Sequence, residues 1–116
     1  MPVEKWSDHI WIVKLSDEPA LSDDLSALLH EAGQAETYPN HVVDFSGITT
    51  VSSSNLSQLL RLRKQAIDHD TKMRLVAIPD QVWVVFLTTG LDKVFDFAPD
   101  VTTALASLQL DESENR

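Results

Sequence analysis

The sequence predicts an α/β domain: a mixed β-sheet of about four to five strands with about four helices packed on it. Two observations carry this. Short runs rich in β-branched and aromatic residues alternate along the chain with longer stretches whose leucines recur at helical spacing. The chain has 116 residues, which suits one compact domain with a single core. Strands that alternate with helices imply a parallel or mixed sheet covered by those helices.

Residues 9–15, His-Ile-Trp-Ile-Val-Lys-Leu, read as the first long strand. A short N-terminal strand and Trp6 leave the oligomeric state open. Leu21, Leu25, Leu28 and Leu29 then mark one helical face, with Ser16 or Asp17 as a cap, Pro19 in the first turn and Gly33 at or near the end. Pro39-Asn40 signals a turn and His41–Phe45 a strand, which Ser46-Gly47 breaks. Polar capping residues at 52–55 precede Leu56, Leu59, Leu60 and Ile67, so a helix runs from there to about Asp68. Met73–Ile78 reads as a buried strand stopped by Pro79. Val82–Leu87 has strand propensity, yet Asp80 and Gly90 bracket it as a cap and a C′ glycine would bracket a short helix. Val94–Phe97 alternates as a brief strand, and Val101, Ala104, Leu105 and Leu108 trace a last helix.

Hydrophobic residues make up 43% of the chain and charged residues 23%, ordinary for a globular protein. The net charge is −9, which disfavours direct nucleic-acid binding and anionic membrane surfaces. The absence of cysteine removes disulfides, thiolate zinc sites and cysteine nucleophiles, and fits a cytoplasmic protein. No apolar run approaches the ~20 residues of a membrane span, and the N-terminus lacks the pattern of a secretory signal. Three glycines cannot make a glycine-rich phosphate loop. The domain is expected over 1–110, with 111–116 as a polar tail that frays.

The sharpest chemical feature is the serine cluster Ser52, Ser53 and Ser54 at a helix start. Free backbone N–H groups and the positive end of the helix dipole favour a phosphate there; simple capping is the bland alternative. Arg61, Arg63, Lys64, Lys72 and Arg74 gather five of the nine basic residues in one short stretch, either as helix-end cations or as a dock for an acidic partner. The four histidines are scattered without metal-ligand spacing, so no metal site is expected. Asp44 ends a strand where α/β sites lie, or caps the following turn. No nucleophile elbow or convergent acid–base pair suggests an enzyme, and no cofactor is implied. Trp6, Trp11 and Trp83 read as core or boundary residues.

The run Val42-Val43-Asp44-Phe45-Ser46-Gly47-Ile48-Thr49-Thr50-Val51-Ser52-Ser53-Ser54-Asn55-Leu56 resembles the signature of STAS domains, found in bacterial anti-sigma factor antagonists and sulfate-transporter tails. The stretch Leu87–Phe97, with Thr89-Gly90-Leu91-Asp92 at its heart, resembles a second family motif, and a final helix with Ala104-Leu105 and Leu108 follows it. The resemblance spans nearly the whole chain. It implies a single STAS-like domain and a helix, not a strand, over Asp80–Thr89.

In the antagonist branch it further implies a binding module without catalysis of its own. Its partner is an anti-sigma factor that is also a serine kinase. The unmodified antagonist binds that partner and frees the sigma factor; phosphorylation ends the binding, and a phosphatase can restore it. The matching acceptor is Ser53, with Ser52 and Ser54 as competing acceptors. The implied partner-binding residues are Asp44, Ser52, Ser53, Ser54, Asn55, Gln58 and Arg61. Two departures stand out: Ser52 replaces the family Asp and Asn55 the family Gly. The first removes a charge beside the acceptor, and the second adds bulk where a kinase loop approaches. The alternative within the same fold is an adaptor or subunit of a signalling or transport assembly that is not phosphorylated.

Overall fold

The computed structural model describes residues 3–114, with side chains to Asp111. Ten elements follow one another: β1 (Val3–Lys5), β2 (Ile10–Lys14), α1 (Ala20–Gln34), β3 (Asn40–Asp44), α2 (Ser53–Asp68), β4 (Met73–Val76), α3 (Asp80–Thr89), a single 3₁₀ turn (Leu91–Lys93), β5 (Asp96–Ala98) and α4 (Val101–Glu114). The five strands form one mixed sheet in the order β1-β2-β3-β4-β5. β1 runs antiparallel to β2, and every later pair is parallel.

Each parallel pair needs a crossover, and crossovers of this kind are right-handed. Three in succession, all stepping the same way across the sheet, put α1, α2 and α3 on one face. Trp11, Val13, Val43, Phe45 and Leu75 point to that face and pack with Leu21, Leu25, Leu28, Leu59, Leu62, Val82 and Phe86. The alternate residues Ile10, Val42 and Val76 point the other way, where Ala104 and Leu108 of α4 cover them. The central strands are therefore apolar on both sides, as parallel strands buried between layers must be. Arg74 also lies on the α4 side and bridges Asp96 at 3.5 Å and Asp111 at 3.1 Å, tying α4 to the sheet.

The Asp80–Thr89 segment is a helix despite its β propensity. Val82 and Phe86, one turn apart, are both fully buried. Phe86 meets Phe97, Phe95 and Phe45 edge-on at centroid distances of 5.3, 5.9 and 6.2 Å. Tertiary packing of this kind outweighs a local preference. Gly90 ends the helix in the left-handed conformation at φ 77°, where a side chain would be strained.

Four sequence expectations need adjustment. The last strand is Asp96–Ala98 rather than Val94–Phe97, because Val94 and Phe95 donate their N–H groups to Leu91 O and are still in the preceding turn. β4 stops at Val76, where Ala77 turns the chain at φ 55°. Neither Ser16 nor Asp17 caps α1, whose N-cap is Pro19 without a side-chain bond. Finally, α4 extends to Glu114, so residues 111–114 of the expected frayed tail are helical; residues 115–116 lie outside the described ones.

Candidate functional site

α1, α2 and α3 all begin just beyond the C-terminal ends of parallel strands, the end of an α/β sheet where sites form. The segment 45–52 joins β3 to α2 there. Ile48, 2% exposed, anchors it in the core. Gly47 lets it pass the β2 end: a Cβ on Gly47 would sit 3.0 Å from Leu15 O. Asp44 accepts the Ser46 N–H at 2.9 Å, so its carboxylate shapes the turn. Thr49 then donates both its N–H and its hydroxyl to Asp17, at 2.8 and 2.7 Å, and its carbonyl accepts the Gln81 side-chain amide at 2.8 Å. One threonine thus ties the approach to α2 to the starts of both neighbouring helices. The two bonds from Thr49, the backbone one first, hold the Asp17 carboxyl below its ordinary range.

Ser52 is the N-cap of α2 and Asn55 its N3 residue, joined in a reciprocal capping box. Ser52 Oγ accepts the Asn55 N–H at 3.1 Å, and Asn55 Oδ1 accepts both the Ser52 N–H and the Ser52 hydroxyl at 2.9 Å. The two departures from the family pattern are therefore a matched pair. Asn55 Nδ2 reaches across to Ser22 Oγ on α1 at 3.3 Å. Gln58 follows it inward, donating to Ser22 O at 2.9 Å and Ser26 Oγ at 3.0 Å.

Ser53 and Ser54, the first two helical residues, are exposed and make no side-chain hydrogen bond to another described residue. Arg61 is exposed two turns further along. Asn55 (1% exposed) and Gln58 (6%) are not surface residues. Their amides are taken up by Ser22 and Ser26 of α1 and by Ser52, so these two of the expected contact residues lie beneath the surface. Asp44 is half-buried.

The basic stretch is dispersed rather than pooled. Arg63 Nε donates to Val94 O, Lys64 pairs with Asp68, and Arg74 lies on the opposite face of the sheet. Among the described residues no cluster of metal-ligating side chains occurs, and no helix is long and apolar enough to cross a membrane.

Glu18, Ser22, Thr49 and Gln81 were not singled out by the sequence, and Asp17 only as a cap for α1. Glu18 meets Ser22 within one helical turn, but the other contacts join residues about 30 positions apart, which no local pattern encodes. One signal was available: Ser22 and Ser26, four apart beside Leu21 and Leu25, mark a small polar stripe on α1 that lets another helix approach.

Fold and site together define a small α/β module built around a serine-bearing helix start. The family model of the STAS domain matches residues 12–104. The chain belongs to the STAS domain family. A serine-to-glutamate variant of RsbS from Moorella thermoacetica shares the fold with TM-score 0.80 and 20% identity, over 97% of both chains. An anti-sigma-factor antagonist (STAS) domain protein from Planctomyces limnophilus does so with TM-score 0.77 and 17% identity, over 92% of this chain and 96% of that one. A chain from the stressosome, a signal integration and transduction hub, matches with TM-score 0.71 and 23% identity, over 93% and 96%. No curated protein matches the sequence.

Proposed function

We propose that this chain is a regulatory protein-binding module of the anti-sigma factor antagonist type, acting in the cytoplasm. It binds an anti-sigma factor serine kinase and is switched off by phosphorylation at Ser53. The carrying observation is the state of Ser53: first residue of α2, exposed, its hydroxyl bonded to no other described residue, at a helix N-terminus. A phosphate there would add about −1.5 to −2 charges. It would meet the positive end of the α2 dipole, so the fold would tolerate it. A partner surface shaped for a neutral hydroxyl would not.

The proposed contact surface consists of Ser53, Ser54 and Arg61 with the exposed Ser57 and Leu60 between them, rimmed by Asp44 and Thr50. Asn55 and Gln58 hold that surface from behind, and the exposed Ser52 caps the helix at its edge. A phosphatase would reverse the switch.

A second reading has a specific observation behind it. Ser52 and Asn55 replace the family Asp and Gly and close a capping box, so the helix start is organised without any modification. On that reading the chain is an unphosphorylated adaptor or subunit of a larger assembly.

Wild type, Ser53→Ala and Ser53→Glu used as baits in the native host separate the two. The switch predicts a serine kinase on wild type and Ser53→Ala, its loss on Ser53→Glu, and phosphate on Ser53. Identical partners for all three baits, with residues 52–54 unmodified, would establish the adaptor.

A further inference from the structure

The geometry points to Ser22 as a positioning residue that decides which serine of the cluster is modified, an inference that rests on the phosphorylation reading above. The argument follows protons from α1 to α2. Glu18 accepts both the N–H of Ser22, at 2.8 Å, and its hydroxyl. The carboxylate is an acceptor only, so the Ser22 hydroxyl proton is committed to it. What Ser22 Oγ offers its other neighbour is a lone pair, and that neighbour is Asn55 Nδ2.

This fixes the Asn55 amide. With Nδ2 toward α1, Oδ1 must face Ser52, where it takes the Ser52 hydroxyl proton. The Ser52 lone pair meanwhile takes the Asn55 N–H. Ser52 is therefore engaged both as donor and as acceptor. Gln58 Oε1, 3.4 Å from Asn55 Nδ2, supports the same orientation.

Phosphoryl transfer asks the opposite of a hydroxyl. The serine Oγ must form a bond to the γ-phosphorus of a nucleoside triphosphate while the bond from that phosphorus to the β–γ bridging oxygen breaks. The nucleoside diphosphate leaves, and the hydroxyl proton passes to a base on the kinase. Ser52 can do this only by giving up its cap. Ser53 and Ser54 give up nothing. In this chain, which lacks the family Asp at position 52 and so carries a third hydroxyl, the Glu18–Ser22–Asn55 relay keeps that extra hydroxyl, exposed as it is, committed to its cap. Glu18 and Ser22 act through Asn55 and touch neither kinase nor nucleotide.

The test uses the purified full chain as wild type, Ser22→Ala, Ser22→Thr and Glu18→Gln. Each is incubated with ATP and soluble extract of the native host, and phosphate is assigned to residues 52, 53 or 54 by peptide mass spectrometry. Leu28→Val, a destabilising change elsewhere on α1, serves as the structural control. The expected result is phosphate on Ser53 and none on Ser52 in wild type and in Leu28→Val. In Ser22→Ala the Ser52 share rises about fivefold or more over the detection floor, the factor one hydrogen bond supplies. Ser22→Thr, which keeps the hydroxyl, restores the wild-type pattern. Phosphate on Ser52 in wild type, or the same distribution in Ser22→Ala as in wild type, overturns this inference alone. No phosphate on any of the three serines in wild type overturns the phosphorylation reading and this inference with it.

Discussion

Thr49 and Asp17 lie 32 residues apart in sequence and are joined by two hydrogen bonds, one from the Thr49 N–H and one from its hydroxyl. The pair clips the β3–α2 connection to the turn that precedes α1. Its pH dependence has a definite sign. Asp17 has a lowered carboxyl pKa, below the ordinary 3.8, so the clip is fully present above that ordinary value and is lost as pH falls through the lowered one. Removing the carboxylate by Asp17→Ala should speed exchange of the Thr49 amide while leaving the Leu59 amide, deep in α2, protected. Hydrogen exchange read by NMR checks this; unchanged protection at Thr49 would show that the clip does not hold the loop in solution.

Acid should destabilise the domain well before its carboxylates titrate, through His41. This imidazole is 1% exposed, stacks between Tyr38 and Trp11, and bonds Pro39 O through Nδ1. Among the described residues its Nε2 has no hydrogen-bond partner. Burial lowers its pKa from 6.5 to about 4. A histidine kept neutral in the native state binds its proton first in the unfolded chain, so stability is full above the unfolded value and declines as pH falls from about 6.5 toward 4. The loss over that window is roughly 3 kcal/mol. Urea melts of wild type and His41→Phe at pH 7 and pH 4.5 measure it; equal slopes for the two proteins would refute the assignment.

Restoring the family glycine should weaken this chain. Asn55→Gly removes the amide that serves Ser52 and Ser22 and places a glycine inside a helix. The expected cost is about 1–2 kcal/mol. Ser52→Asp, the other family residue, keeps an acceptor at the N-cap and should change stability by less than about 0.5 kcal/mol. Thermal denaturation of both variants gives the comparison. Asn55→Gly at wild-type stability would mean the capping box contributes nothing.

At Gly90 a Cβ would have no atom within 4 Å, so space is not the constraint. The left-handed φ of 77° is. Gly90→Ala should therefore cost about 1–2 kcal/mol through backbone strain alone. Gly90→Asn should cost less, because asparagine tolerates that conformation. Chemical denaturation with equal m-values would confirm that the native packing is untouched.

How much of this was legible depended on range. The Leu21–Leu25–Leu28 stripe and the serines before Leu56 announced α1 and α2, because caps and periodicity are local physics. Val82–Leu87 was ambiguous by local signals and was assigned as a helix by the resemblance, because the partners that stabilise that helix, Phe45, Phe95 and Phe97, arrive from elsewhere. At the site, the serines 52–54 were marked by their place at a helix start, and Ser53 among them by the resemblance alone. The inward turn of Asn55 and Gln58 was not, because polar residues next to a capping motif read as surface until α1 supplies their partners. The crowd of cations at 61–74 dissolved for a similar reason: a strand between two layers sends Arg74 to the face opposite Arg63.

The sheet's spatial order is also its chain order. Each strand, as the chain leaves the ribosome, finds its neighbour already made, so the sheet can grow from one edge to the other in the direction of synthesis. Sequential pairing of this kind avoids waiting for distant segments, which is what slows folding and exposes aggregation-prone surface. The exception is the second face. Among the described residues, Ile10, Val42 and Val76 are covered by α4, which emerges after all five strands. Any nascent chain stopped before Val101 would display that apolar face bare, so the docking of α4 is the step that covers the sheet on its second side.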